Sequence, residues 1–322
     1  MRHLPLFVVL AACKGPTAPF PDTDTDVVEE TDVPPPADTD GDGLTDDIDN
    51  CRQDANADQA DLDLDGYGDA CDVDVDGDQI PDEFDLFPLD PNRPGTALDD
   101  TAYAHTATQL FSFGVDSHIV TPIGTPNVDA GILTDIAIDR YGVLYAITFD
   151  DLYVCHPQTA ECWFLGALPS SSNGLSFLPQ GTLLADRDAL VGIAQDGTWS
   201  LLTVTGATVQ TSTVGGYGGT WESSGDVFSV LGTGTFAAID QGGDVVIAEV
   251  DPTNGALIRQ VVQVPYGEIY GIAGWDGVIF AFDASGDILT IDPDTGAWSV
   301  LTTYAAAWYG AGVRTETALP TI

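Results

Sequence analysis

The sequence predicts an all-β protein with an acidic, core-poor segment in front of its folded domain. Three observations carry this. From about residue 103, short alternating apolar runs are separated by Gly, Asp-Pro and Asn-Gly turns, with no amphipathic helical period among them. These runs recur in units of roughly 40 to 50 residues, the length of a propeller blade. The ends of the array are also incomplete in complementary ways: QLFSFGVDSHIVTPI at 109–123 reads as an outer hairpin without inner strands, and YGAGVRT at 309–315 as an inner strand without a hairpin. Joining them closes a ring and removes the open sheet edges of a linear array. The composite blade brings the β-propeller to five; a sixth requires an extra blade inside the long third unit. A β-sandwich is the competing arrangement, since spaced strands alone fit it too.

Residues 1–13, MRHLPLFVVLAAC, have the arrangement of an export signal: Arg2 gives a positive start, LPLFVVL a short apolar run, and small residues precede a cysteine. The run is too short to span a bilayer. Leu10-Ala11-Ala12-Cys13 resembles the lipobox of bacterial lipoproteins, which implies cleavage before Cys13 and acylation of that residue. Several acyl chains on one residue anchor stably where a single chain does not. An ordinary secretory peptide with an incidental cysteine is the plain alternative. Lys14 stands where enteric lipoproteins retained at the inner membrane carry Asp, so the expected location is the outer membrane or cell surface.

Residues 14–37 are rich in Pro, Thr and acid and lack apolar periodicity, which predicts an extended tether. The acid continues beyond it. Of 51 acidic residues, 28 fall between Asp22 and Asp100, against two arginines there, Arg52 and Arg93. A formal net charge of −43 argues against nucleic acid and anionic lipid as partners and leaves divalent cations as the natural counter-charge.

Within that acidic stretch, residues 38–85 repeat one register three times. A calcium loop takes hard oxygen ligands from positions 1, 3, 5, 7 (a carbonyl), 9 and 12, with a sharp turn at 6. The first loop offers Asp38, Asp40, Asp42, the Leu44 carbonyl, Asp46 and Asp49, with Gly43 at the turn. The second offers Asp61, Asp63, Asp65, the Tyr67 carbonyl, Asp69 and Asp72, with Gly66 at the turn. The third offers Asp74, Asp76, Asp78, the Ile80 carbonyl, Asp82 and Asp85, but Gln79 stands at the turn, making it the least secure of the three. A solvated acidic run is the bland reading, yet it has no reason to keep Asp at every side-chain ligand position in three successive windows.

The flanks lack EF-hand helices, and position 12 is Asp where an EF-hand has a bidentate Glu. Through DGDGLTDDIDNC, NADQADLDLDGYGDACD and DGDQIPDEFD the segment resembles the thrombospondin type 3 repeat instead. That resemblance implies a chain with little apolar core wrapped around a row of structural calcium ions, about three here. It brings with it the pair Cys51 and Cys71; the third repeat carries no cysteine. With Cys13 lipidated, the remaining cysteines are Cys51 with Cys71 and Cys155 with Cys162 across the turn HPQTAE, both suited to an oxidising location. A zinc site is not indicated, as no second Cys or His pair has the spacing.

The repeats are expected to run through residue 90, followed by a Pro-punctuated junction at 91–102, the propeller at 103–316 and a short tail at 317–322. Leu86, Phe87 and Leu89 could dock the segment on the propeller or belong to a flexible linker. One full blade is TDIAIDRYGVLYAITFDDLYVCHPQTAECWFLG at 134–166, and parallel units start at 173, 217 and 270, turning at Gly142, Gly181, Gly225 and Gly277. The hairpin LTIDPDTGAW resembles those of many secreted bacterial propellers, a likeness that implies fold alone.

Alignment on those glycines places Thr134, Asn173, Tyr217, Tyr270 and Tyr309 around the channel mouth, followed by Asp135, Gly174, Gly218, Gly271 and Gly310. The tyrosines could stack on a sugar or peptide, or simply pack a crowded axis. These residues are the candidate ligand site, and the candidate partners are a surface protein, peptide or glycan, besides the membrane through acylated Cys13. Propeller lactonases, which the repeat loosely resembles, hold a divalent metal at this mouth; only Asp135 and Asn173 match, and Glu268 falls outside the aligned ring. No GxSxG, HExxH or phosphate-loop motif occurs, and the histidines are scattered. The expected function is a lipid-anchored, calcium-binding surface protein with a binding, adhesion or display propeller. A metal-dependent lactonase or esterase, or a structural part of a surface assembly, is the alternative.

Overall fold

The structure, a computed structural model, describes residues 36–128 and 132–316. The export signal, Cys13, nearly all of the tether and the tail at 317–322 lie outside them. Residues 36–100 contain no strand or helix, only turns and bends, and no helix among the described residues is long and apolar enough to cross a membrane.

Twenty strands follow, in five four-stranded antiparallel sheets. Four blades are continuous in sequence. They are β4 (Asp135–Ile138), β5 (Leu144–Ile147), β6 (Asp151–Cys155) and β7 (Cys162–Ala167); β8 (Gly174–Leu178), β9 (Ala189–Ile193), β10 (Thr198–Thr205) and β11 (Thr208–Gly216); β12 (Glu222–Val230), β13 (Gly234–Asp240), β14 (Val246–Val250) and β15 (Leu257–Gln263); and β16 (Ile269–Trp275), β17 (Val278–Asp283), β18 (Asp287–Ile291) and β19 (Trp298–Thr303). The fifth is composite, with the order β20-β1-β2-β3, in which β20 (Gly310–Gly312) pairs antiparallel with β1 (Thr101–His105), and β2 (Leu110–Gly114) and β3 (Val120–Gly124) form the outer hairpin. This is a five-bladed propeller, and no sixth blade is hidden in the third unit. The unforeseen strand is β1, which begins at Thr101 inside the stretch read as junction.

Strand composition follows position in the blade. The inner strands β1, β4, β8 and β20 are buried along their whole length because each is covered on both faces by neighbouring blades. They therefore read as continuous runs of small and apolar residues, while the outermost strands β15 and β19 have no fully buried residue. Closure rests on aromatic packing between the composite blade and the β16–β19 blade: Phe113 lies edge-on to Phe280 and Phe282 at 5.2 and 5.7 Å, and Phe111 to Trp308 at 5.2 Å. Blades meet through faces, so β3, β7, β11, β15 and β19 each keep one free edge, and ring closure does not abolish edges.

The outer hairpins show why the Asp-Pro-x-x-Gly sequence recurs. Asp251 and Asp292 accept backbone N–H bonds from Thr253 (2.8 Å) and from Asp294 and Thr295 (both 2.9 Å), and Gly255 and Gly296 take φ of +75° and +69°. In the β6–β7 hairpin Ala160 occupies that left-handed position at φ +61°, and the Cys155–Cys162 disulfide closes the turn.

Candidate functional site

The three acidic loops fold alike, residue for residue. In each, the carboxylates at positions 1, 3 and 5 approach one another within 4.8 Å: Asp38, Asp40 and Asp42; Asp61, Asp63 and Asp65; Asp74, Asp76 and Asp78. Backbone N–H groups hold them there. Position 5 accepts from residue 7 in every loop, at 2.8 Å (Leu44 to Asp42), 2.8 Å (Tyr67 to Asp65) and 2.9 Å (Ile80 to Asp78). The position 1 carboxylates accept from residues 4 and 6 on different oxygens. Each loop thus turns its side-chain oxygens inward by a chain of Asx turns.

Two backbone requirements come with this path. Positions 4 and 6 both lie at positive φ: Gly41 and Gly43 at +82° and +102°, Leu64 and Gly66 at +65° and +99°, Gly77 and Gln79 at +72° and +77°. Gln79 therefore adopts the conformation that glycine holds in the other loops, and the third loop keeps its shape with some backbone strain.

Position 9 has a task that spacing alone does not show. Asp46, Asp69 and Asp82 accept the N–H of position 2 (Thr39, Leu62 and Val75, at 2.9, 2.8 and 3.1 Å), and their own N–H groups reach the carbonyl of the residue before the loop. They close the loops. Asp46 spends both oxygens in this way, the second on the Thr39 hydroxyl. At position 12, Asp49 is held by Gln59, Asp72 accepts from Asp74, and Asp85 accepts from Phe87. Asn50, Asn56 and Gln59, which the calcium register does not single out, join the first two loops: Asn56 donates its N–H to Asp42 and its amide to Asn50. The Cys51–Cys71 disulfide spans the same region.

The donor set fits calcium. It is all oxygen, anionic and pre-turned, and several oxygens have nothing to bond: Asp40 Oδ2 in the first loop, and Asp76, Asp78 and Asp85 Oδ2 in the third, are buried without a hydrogen-bond partner. Burial pushes Asp78 up to about 7 and Asp85 up to about 6, with neighbouring carboxylates adding to both. Asp74 and Asp76 are raised for the same first reason. A bound cation would supply the missing counter-charge and fix the loop geometry. The loop that looked least secure in sequence is the one whose oxygens most need a partner.

That need arises from docking. Ile80, only 1% exposed, joins a core cluster with Val143, Leu152, Val154 and Phe177, and Phe84 and Phe87 pack against it. Phe84 stacks on Tyr141 at 5.3 Å, and Phe87 meets Trp163 at 5.3 Å with Arg93 above both rings. Arg187 covers Phe84 and pairs with Glu83 at 3.2 Å. Docking is thus real, but through Ile80, Phe84 and Phe87; Leu86 is partly exposed and Leu89 largely so.

At the propeller axis, Thr134, Asn173, Tyr270 and Tyr309 line a cavity of about 300 Å³, as the sequence alignment expected. Asp135 and Tyr217 do not line it. Asp135 is fully buried, accepting N–H bonds from Ile136 and Leu175 (2.9 and 2.6 Å), and Asp226 does the same for Ile272 and Ala311 (2.6 and 3.3 Å). Burial holds both carboxyls well above the ordinary range, and the neighbouring Asp226 charge adds to the effect at Asp135. They stitch the inner strands of successive blades, which leaves Asp135 no free oxygen to offer at the mouth. Tyr217 packs edge-on to Trp199 in the core. Gly225 is not the turn glycine that the repeat alignment expects: it lies inside β12, so Ser224 and Gly225 are the ring positions of that blade, and the turn is at Gly232. Glu268, aligned outside the ring, lines the cavity, because the β16–β17 pairing shifts register between Ile269 and Gly271. Phe149, Gln195 and Ala284 reach it from the turns after β5, β9 and β17, positions that no motif marks.

Loop geometry and fold together define an all-β protein in which a metal-binding repeat segment is docked on a five-bladed propeller. Residues 60–93 match the family model of the thrombospondin type 3 repeat, a calcium-binding repeat. A stretch of 41 residues is 54% identical to cartilage oligomeric matrix protein of Mus musculus, covering 13% of this chain and 5% of that protein. Among solved structures, a computationally designed protein aligns with 66% of this chain and 63% of its own (12% identity, TM-score 0.33). A symmetrical protein of de novo evolutionary emergence aligns with 65% of this chain and 92% of its own (14% identity, TM-score 0.42).

Proposed function

We propose that this protein is an exported binding module, anchored through acylated Cys13 at the outer membrane or cell surface, whose propeller is held in position by calcium. The ions sit in the loops beginning at Asp38, Asp61 and Asp74, with carboxylates 1, 3 and 5 and the position 7 carbonyl as the inner ligands. The observation that carries the reading is the third loop: three carboxylate oxygens lack partners in a loop whose Ile80 is sealed into the propeller core. Calcium there completes the joint between stalk and propeller, so the axial mouth is presented in a fixed orientation to the stalk.

The lactonase-like alternative gains no support from Asp135, whose carboxylate is committed to backbone N–H groups. The test is a calorimetric calcium titration of the protein from Lys14 onward, run with limited proteolysis. Saturable uptake with protection of residues 38–90 supports the reading, and equal cleavage in calcium and in chelator refutes it. Recovery of Cys13 as an acylated N-terminal residue from membranes tests the anchor.

A further inference from the structure

The propeller mouth offers acceptors and aromatic faces but no basic group. The Tyr270 and Tyr309 rings stand 5.8 Å apart at 34°, on one side of the cavity that Glu268 and Asn173 also line. Asn173 donates its amide to the Ser223 carbonyl at 3.3 Å, which leaves its buried Oδ1 without a partner. The Tyr270 hydroxyl is raised by burial and then by the Glu268 carboxylate, with Tyr309, Asp283 and Asp240 adding smaller effects. The four arginines of the propeller are all engaged elsewhere: Arg140 with Asp188 and Glu316, Arg187 with Glu83 and Asp186, Arg259 with Glu249, and Arg314 with Asp99. The mouth therefore carries uncompensated negative charge on a chain of net charge −43.

We infer that the mouth binds an alkylammonium group carrying at least one N–H, such as a lysine side chain, between the Tyr270 and Tyr309 rings and the Glu268 carboxylate. Aromatic faces attract a cation through the ring quadrupole, and more strongly where water is excluded. Glu268 supplies the opposite charge, and Asn173 Oδ1 accepts the N–H. A neutral sugar would also stack on the rings but would gain nothing from the charge of Glu268. This inference rests on the reading of the propeller as a binding module and names its ligand class.

The test titrates calcium-saturated protein with Nα-acetyl-lysine methylamide, butylamine, choline and glucose at low and high salt, following the ring resonances of Tyr270 and Tyr309. Saturable binding of both amines above choline is expected, weakening with salt. Tyr270→Leu should weaken amine binding about five- to thirtyfold, while Tyr270→Phe retains it. Glu268→Gln should weaken it and remove most of the salt dependence. Tighter binding of the blocked lysine than of butylamine points to a peptide source, and equal binding to a free amine; both support the site. Amine binding that survives Tyr270→Leu and Glu268→Gln would be diffuse counter-ion attraction and would overturn the inference. Glucose binding without amine binding would overturn it while leaving the binding module intact, and no response of either ring to any probe would overturn both.

Discussion

Removing calcium should make the joint between stalk and propeller sensitive to alkali. In the metal-free fold, burial raises Asp78 from its ordinary 3.8 to about 7, and Asp85 to about 6. A carboxyl whose folded value is raised binds its proton more tightly folded than unfolded. Its stabilising effect is therefore complete below pH 3.8 and is lost as pH climbs towards about 7. For Asp78 the full span corresponds to about 4 kcal/mol, and partial solvent screening reduces this to on the order of 1–2 kcal/mol. Calcium takes the place of the proton. With a Kd of about 10⁻⁴ to 10⁻³ M, 10 mM calcium adds roughly 1.4–2.7 kcal/mol per site, and the gain should be larger at pH 8 than at pH 5, where a proton must first leave. The assay is thermal unfolding at both pH values, with and without calcium, together with proteolysis between residues 72 and 95. A chelated protein no less stable at pH 8 than at pH 5, or a calcium gain independent of pH, would refute the reasoning.

Three further outcomes follow from particular residues. Gln79→Gly should relieve the strain of φ +77° and stabilise the calcium-loaded protein by about 0.5–1 kcal/mol in a thermal melt. Conversely, Gly66→Ala should cost about 1 kcal/mol purely through its φ of +99°, since an added Cβ would touch nothing within 4 Å; a neutral result would show that the second loop does not need this backbone path. Gly310→Ala should be more damaging, because its Cβ would lie 2.3 Å from His105 Nε2 and 2.5 Å from Asp135 Oδ1. A loss of about 1–3 kcal/mol in chemical denaturation is expected.

Features that depend on local spacing can be read from the order of residues. Asp at positions 1, 3 and 5 favours an inward-facing cluster because each side chain finds backbone N–H groups two to five residues on, so the calcium register was legible without tertiary information. Strand alternation and the unmatched ends at 109–123 and 309–315 likewise pointed to ring closure, because a strand missing at one end is the surplus of the other, while the blade number was left between five and six.

Features that depend on long-range register and burial emerge only once the chain is folded. β1 was hidden because an inner strand buried on both faces lacks alternation, and TAYAH looks like the linker before it. Tyr217 and Ser224 exchanged places at the mouth because Gly225 lies inside β12, and a glycine inside a strand looks in sequence like one in a turn. Above all, docking through Ile80 turned the third loop from the least secure to the most enclosed: a ligand list is set by spacing, but the charge those ligands can tolerate alone is set by what packs against them.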